Sequence, residues 1–440
     1  MRAALRPLSI PVFRRLAFAR LVDELGDWLG EIALAVLVFD QTGSLLAVTA
    51  LFLALQFVPA IATPPLVARL EAVPSRFALA GLNLAQALVF VELALLEPNF
   101  SLAPVIGLAA LGGALAITAR TLSRVAATAA AEPRGLLREA NALLNIGFTM
   151  GVAVGPAVAG VVVAGAGPRT ALFADAVSFG VVAILMATAS GLPRTKVEEA
   201  GSIERLRRGI AYVRAQPQLR IMIKAQAAAF VFFALVIPIE VVFAKETLGA
   251  GDAGYGALLA SWGVGMVVGG AAFALLRRIP LRVLLPISVF AIGAAYLLTG
   301  VAPSLVFACL ASVLGGVGNG IEWVALVTAV QQLTRAEYQA RVVSLVDSVA
   351  RAAPGVGFVL GGGIAALFSP RASYAVAGAG VMIVLGLASI ALTRAGWRGD
   401  SPEEDEVEQA PSEPADAEVP ESPPLGGVEP AEATPRSGAA

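Results

Sequence analysis

The sequence predicts an all-α membrane protein of twelve transmembrane helices, arranged as two parallel six-helix repeats with both termini in the cytoplasm. Three observations carry that expectation. The 440-residue chain is 58% hydrophobic and only 14% charged, against about 25% charged residues in ordinary globular chains, so much of its surface must face a solvent other than water. Its apolar runs are long enough to span a bilayer, and its second half repeats part of its first.

A membrane span takes about 20 apolar residues as helix, because backbone polar groups in lipid are satisfied only within the segment. Such runs begin near Phe13, Leu45, Phe77, Leu102, Ala140, Thr170, Ile221, Gly254, Leu281, Ser304, Val342 and Ala372. Turn signals part them, among them Asp40-Gln41-Thr42-Gly43, Glu97-Pro98-Asn99 and Ser369-Pro370-Arg371. The first run is acidic and lacks a small-residue cleavage site behind it, which predicts a retained helix and not a removable signal peptide.

Lysines and arginines then orient the spans. The loops on one side, with both termini, hold 25 of them, and the other loops hold only Arg169, Lys245 and Arg371. That asymmetry predicts cytoplasmic termini in a multi-pass protein of the inner (plasma) membrane. The formal net charge of −1 conceals it. Residues 1–399 carry 30 basic and 20 acidic residues, or +10, whereas 400–440 carry twelve acids against Arg436, or −11. That tail has eight prolines and no aromatic residue, so it reads as a disordered, solvated end.

Sliding the second half against the first by 202 positions places Val154-Gly155 on Val356-Gly357, Gly160 on Gly362, Pro168-Arg169 on Pro370-Arg371 and Arg120 on Glu322. The predicted organisation is a first repeat over 1–192, a linker over 193–220, a second repeat over 221–399 and the tail over 400–440. In the linker, Ile203, Leu206, Ile210 and Val213 recur at helical spacing among arginines, which suits a helix lying on the cytoplasmic membrane face.

Composition removes several classes of function. The chain has no histidine, and with no Gly-x-Ser-x-Gly elbow no nucleophile–base pair is in view, so it is not expected to be an enzyme. Cys309 is the only cysteine, which excludes disulfides and Cys-ligated metal, and neither metal nor cofactor is expected. No Gly-x-x-x-x-Gly-Lys-Ser/Thr loop binds nucleotide phosphates. Basic loops are explained by topology, so nucleic acid is not an expected partner. The 28 arginines against three lysines suit a bacterial chain from GC-rich DNA.

The stretch from Phe13-Arg14-Arg15-Leu16 through Leu25-Gly26-Asp27 to Phe39-Asp40-Gln41-Thr42-Gly43-Ser44, with Ala119-Arg120, Arg138-Glu139-Ala140-Asn141-Ala142-Leu143, Gly155-Pro156 and Ser178-Phe179, resembles the drug- and siderophore-exporter branch of the major facilitator superfamily. That group contains enterobactin-exporter-like and macrolide-efflux-like proteins, and the resemblance covers residues 10 to 395. It implies a substrate site between the repeats, lined by the first helix of each. Gly151, Gly155-Pro156 and Gly160 resemble the fifth-helix motif of antiporters and exporters in this superfamily, though small residues at this spacing also serve ordinary helix packing. The loop after the second span departs from the superfamily's Gly-x-x-x-Asp-Arg-x-Gly-Arg-Arg: Pro64, Ala68, Arg69 and Glu71 stand there, leaving Arg69, with Arg76, as the retained gating cations. After the eighth span Gly270 is kept, but Ala274 stands where the acid would be.

Charge inside the spans carries the site. Arg20, Asp23, Glu24, Asp27 and Glu31 of the first span fall on one arc of roughly 100° of the helix. At the bilayer centre an acid costs about 2.5 to 3.5 kcal/mol while each Leu or Ile returns about 0.3 to 0.6, so these acids must line a cavity, pair with cations or carry protons. Carboxylates crowded in a partly dry cavity exchange protons near neutral pH, as coupling to a proton gradient requires. Asp27, helped by Asp23 and Glu31, is the candidate binder of a coupling proton or of a cationic group on the substrate. Alternatively, Arg20 neutralises Asp23 or Glu24 as a packing pair. Arg120 and Glu322, at equivalent places in the two repeats, suggest a salt bridge between halves that latches one access state. Asp347 and Arg351, four residues apart, read as a pair on a helix surface. Glu92, Asp175 and Glu240 lie toward outer ends and are given an extracellular gate at most.

The expectation is therefore a monomeric, proton-coupled efflux transporter for a small amphipathic molecule, working by alternating access. Two other readings stand beside it: a transport-inactive scaffold or sensor acting through the acidic tail, and a proton symporter that imports.

Overall fold

In the computed structural model, residues 5–70, 73–189, 191–192, 202–276 and 278–399 are described, and every regular element among them is a helix. Each predicted run starts in a helix or at its cap. Helix α1 is Pro11–Thr42; α2 covers 45–70, with a π-helical stretch at Leu53–Phe57; α3 is Ser75–Leu96 and α4 is Leu102–Ala131. Helices α5 and α6 share Leu137–Ala187, parted where Gly167 takes φ 81° and Pro168 follows. The linker helix α7 is Ser202–Ala215; then come α8 (Pro217–Thr247, with breaks), α9 (Gly251–Leu275), α10 (Leu281–Gly300), α11 (Leu305–Gln332), α12 (Ala336–Leu367) and α13 (Pro370–Arg394).

The turns obey the sequence signals. Gly43 closes α1 at φ 58°, in the left-handed region that glycine tolerates, and the Ser44 hydroxyl accepts from the Ala47 N–H to start α2. Ser369 caps α13 in the same way ahead of Pro370. Arg169 and Arg371 each sit at the start of the sixth helix of their half, with the guanidinium over Phe173 at 5.7 Å and over Phe243 at 5.9 Å.

Eight helical stretches among the described residues are long and apolar enough to cross a membrane, and Leu45–Phe57 and Ala353–Leu367 are shorter apolar helices. Large apolar side chains are exposed at helical spacing, as Leu84, Leu88 and Leu95 on α3, or Ile383, Leu387 and Ile390 on α13. Contiguous apolar surface of this kind suits lipid and not water. The protein is thus an all-helical, multi-pass membrane protein.

Among the described residues, the apolar core shared by the two halves lies at one end. The largest apolar core joins Ile32–Phe39 of α1 to Val48 and Phe52 of α2, Phe179 of α6, Val241 of α8, Tyr255 of α9 and Phe358 of α12. The opposite end, which holds residues near both described termini, has separate cores: one around Phe13, Leu122 and Met186, another around Leu281, Ala329 and Leu392. Packing at the joined end is close. A Cβ built on Gly160 would lie 2.7 Å from the Gly256 Cα, and Gly263 abuts the Val152 carbonyl. Phe52 and Phe358 meet at 6.1 Å, and Lys245 of α8 pairs with Asp40 of α1.

The described end of the linker helix packs against protein. Val213 is buried with Leu219, Leu326, Val330, Val342 and Val346, and Tyr212 stacks on Tyr338 of α12 at 4.2 Å. The side chains of Ile203 and Leu206 lie outside the described residues. Residues 193–201 and the tail 400–440 lie outside the described residues.

Candidate functional site

The acids of α1 share one arc, and that arc is where the intramembrane charge of the first half gathers. Arg20 reaches along its own helix to Asp23 at 2.9 Å and Glu24 at 2.6 Å. Helical geometry dictates both bonds, since residues three and four apart lie on one face. Arg20 and Asp23 also border a shallow recess lined by Asn83, Ser123 and Met186. Asp27, one turn further, is taken by Arg120, which crosses from α4 at 2.6 Å; the Arg120 side chain is 38% exposed and that of Asp27 19%. Glu31 is half-buried and has no hydrogen-bond or ion-pair partner among the described residues. Two arginines therefore face four acids on this arc, leaving an excess of negative charge.

The expected bridge between Arg120 and Glu322 does not form. Arg120 lies on the face of α4 that looks at α1 of its own half, and the equivalent face of α11 looks at α8. Glu322 is accordingly 5% exposed, with Gln226 beside it. Arg120 and Glu322 thus each have their neighbour within their own half, Asp27 for Arg120 and Gln226 for Glu322.

Asp175 also differs from expectation. It is not at a wet outer end; it is fully buried on α6, beside Gly26 and Gly30 of α1, where Ser178 donates to it at 3.2 Å and its second oxygen has no hydrogen-bond partner. The two glycines, four apart at the edge of the acidic arc, were the signal that could have placed it. Glu240 is half-buried near Glu31, close enough for the two charges to interact across the halves. Glu92 is exposed, as is Arg69. The side chains of Asp347 and Arg351 lie outside the described residues.

The glycine motif on α5 is a packing surface. Gly151 makes room for the Glu24 side chain, Gly155 for the Trp28 ring at its buried Pro156 neighbour, and Gly160 for Gly256 across the halves. A Cβ at any of these positions would overlap its neighbour. Sequence reasoning passed over Lys245, which bonds Asp40 and, at 2.6 Å, Asp252.

The family described as transmembrane secretion effector matches residues 2–421. No curated protein matches the sequence at a significant level. Among solved structures, a variant of the nucleoside transporter NupG is similar with TM-score 0.69 at 11% identity, over 87% of this chain and 99% of that one. A POT family transporter in complex with a thioalcohol-conjugated peptide has TM-score 0.68 at 10% identity, over 88% and 96%. A bacterial homologue of the iron transporter ferroportin, in its inward-facing state, has TM-score 0.66 at 15% identity, over 88% and 99%. At these identities the likeness is one of fold.

Proposed function

Given that the chain belongs to the transmembrane secretion effector family of major facilitator transporters, we propose that it is a secondary exporter of a small amphipathic molecule, driven by proton antiport across the plasma membrane. The family and the structural neighbours are membrane transporters and not enzymes. The halves, 1–192 and 221–399, each supply six of twelve spans and rock against one another about the substrate site, the protein working as a monomer. The basic loops put both termini in the cytoplasm. The cleft between the halves then opens to the cytoplasm, the side from which an exporter loads, and the glycine motif on α5 agrees with that direction.

The observation that carries the coupling is the Asp27–Arg120 pair. Both side chains are partly reached by solvent, so the pair can open and re-form as a proton or substrate arrives. A proton arriving on Asp27 cancels its hold on Arg120, and a cationic group of the substrate takes Asp27 only once that proton has left. Proton and substrate thus exclude one another, which is the condition for antiport. Arg20 serves differently, neutralising Asp23 and Glu24 so that α1 can sit in the membrane.

The test is flux in proteoliposomes across a compound panel under an imposed pH gradient, repeated with Asp27→Asn. Wild-type flux should follow the gradient, and the variant should lose roughly tenfold or more of gradient-driven flux while keeping its fold. Flux that ignores the gradient removes the coupling, and uptake in place of export reverses the direction.

A further inference from the structure

The described chain leaves the fold at a fixed point on the side of the arginine-rich loops. After α13 it turns back at Gly396, with φ 71°, and again at Gly399, with φ 56°, in the left-handed region open to glycine. Gln218 of α8 donates its side-chain amide to the Ala395 carbonyl at 3.1 Å, and the Arg282 backbone N–H, at the start of α10, donates to the Gly399 carbonyl at 3.2 Å. Trp397 packs on the core of Leu281, Ala329 and Leu392. A Cβ on Gly399 would stand 2.7 Å from the Arg282 nitrogen, so the exit is built for glycine. Residue 400 therefore starts beside Arg282 and not from a free helix end.

The sequence beyond that exit is acidic. Asp400, Glu403, Glu404, Asp405, Glu406 and Glu408 place six acids in nine residues, with no cation among them. The surface around the exit has the opposite charge: Arg282, Arg335, Arg394 and Arg398 are exposed and form no ion pair among the described residues. At this end of the second half the described side chains include no acid but the buried Glu322, so the fold itself supplies these arginines with no counter-charge. Extended, nine residues span at most about 30 Å. Packing runs from α10 to α11, to α9 and across to α5 of the first half, three steps of about 8 to 10 Å each. The acids are thus long enough in reach to pass from Arg282 to the exposed Arg134 and Arg138 beside the start of α5. A single exposed ion pair is weak, but tethering holds the whole run near the arginines at an effective concentration on the order of millimolar.

We propose that this arginine-rich surface is the docking site for the chain's own residues 400–408, which lie across the mouth of the cleft between Arg282 and the first half's Arg134 and Arg138. Docked there, the strand occupies the space into which the two halves move on closure, so the mouth closes only once the strand has left. The inference depends on neither the substrate nor proton coupling, because covalent attachment alone puts the acids and the arginines on one side of the membrane. Anionic lipid headgroups carry the same charge, but they meet this surface from its edge, whereas the strand begins at Arg282 itself.

Spin labels at Ala410→Cys and Gln332→Cys, in a Cys309→Ser background of the full-length protein in phosphatidylcholine nanodiscs, measure the docking. At about 0.01 M salt, where the Debye length is about 30 Å, the distance distribution should hold a defined short component, which should fall severalfold at about 1 M, where that length is about 3 Å. Ala410→Cys paired with Leu137→Cys should behave alike. Replacing Glu403, Glu404, Asp405, Glu406 and Glu408 by their amides should abolish the component at low salt and leave the melting temperature unchanged, since these residues lie beyond the packed exit. Arg394→Glu with Arg398→Glu should abolish it too, and changing the same five tail acids to Lys in that background should restore it. A broad distribution that is the same at both salts, or a short component that survives the amides, overturns the docking. So does loss of the component in an equal mixture of phosphatidylcholine and phosphatidylserine, which would give the arginines to lipid.

Discussion

Arg20 bonds two carboxylates on its own helix while Arg120 crosses from α4 to reach one, and exposure separates what their removal does. The Glu24 side chain is 5% exposed and Arg20 14%, so Arg20→Ala strands desolvated charge and should destabilise the protein by about 3 kcal/mol. Adding Asp23→Asn and Glu24→Gln should recover most of the loss, as read from thermal unfolding in detergent. A single variant that melts with the wild type would show these pairs to be screened by water. Arg120 is 38% exposed, and Arg120→Ala should cost about 1 kcal/mol or less while removing gradient-driven flux. The acids were legible from spacing alone, because 100° per residue fixes which side chains share a face. Their partners were not. Ninety-three residues separate Asp27 from Arg120, and a repeat offset matches positions without saying whether they meet; here it matched two residues that each turn toward the first helix of their own half.

Element by element, what the sequence could foretell follows from where the determinants sit. Caps and breaks are local, so Gly43, Ser44, Gly167 and Ser369 mark helix ends where turn signals stood. The partner of an apolar face is not local, and only packing shows that Val213 of the linker helix is buried against α11 and α12. Glycines on α5 show the same division: the motif was readable, but only packing reveals that Gly160 meets Gly256 back to back across the halves. Gly160→Val should therefore wedge α5 from α9 and shift the protein toward a state open at the joined end. Cysteines introduced as Asp40→Cys and Lys245→Cys, in a Cys309→Ser background, should cross-link more slowly when Gly160→Val is present. An unchanged rate would mean that α5 and α9 yield without parting the halves.

At the scale of the whole molecule, the +10 of residues 1–399 bears on conformation as well as on orientation. Around the open end of the cleft, Arg69, Arg76, Arg124, Arg134 and Arg138 of the first half are exposed, and so are Arg214, Arg220, Arg282, Arg335 and Arg394 of the second. The acid that the superfamily motif would supply after the second span is missing, Ala68 standing in its place, and Ala274 replaces it after the eighth. Closing the cleft must bring two arginine-rich rims together with little acid to bridge them, so repulsion opposes closure. The Debye length falls from about 30 Å at 0.01 M salt to about 3 Å at 1 M, which weakens this repulsion and leaves the apolar contacts of the joined end intact. Raising salt over that range should therefore increase the population with its arginine-rich ends together. Spin labels at Leu137→Cys and Gln332→Cys, at the ends of α5 and α11 beside the opening, report the separation directly. Their distance distribution should gain a shorter component at high salt, and Ala68→Asp should produce the same component at low salt by giving the second half's arginines a partner. A distribution that stays fixed under both changes would assign the open cleft to packing at the joined end alone, with charge confined to setting which way the protein lies in the membrane.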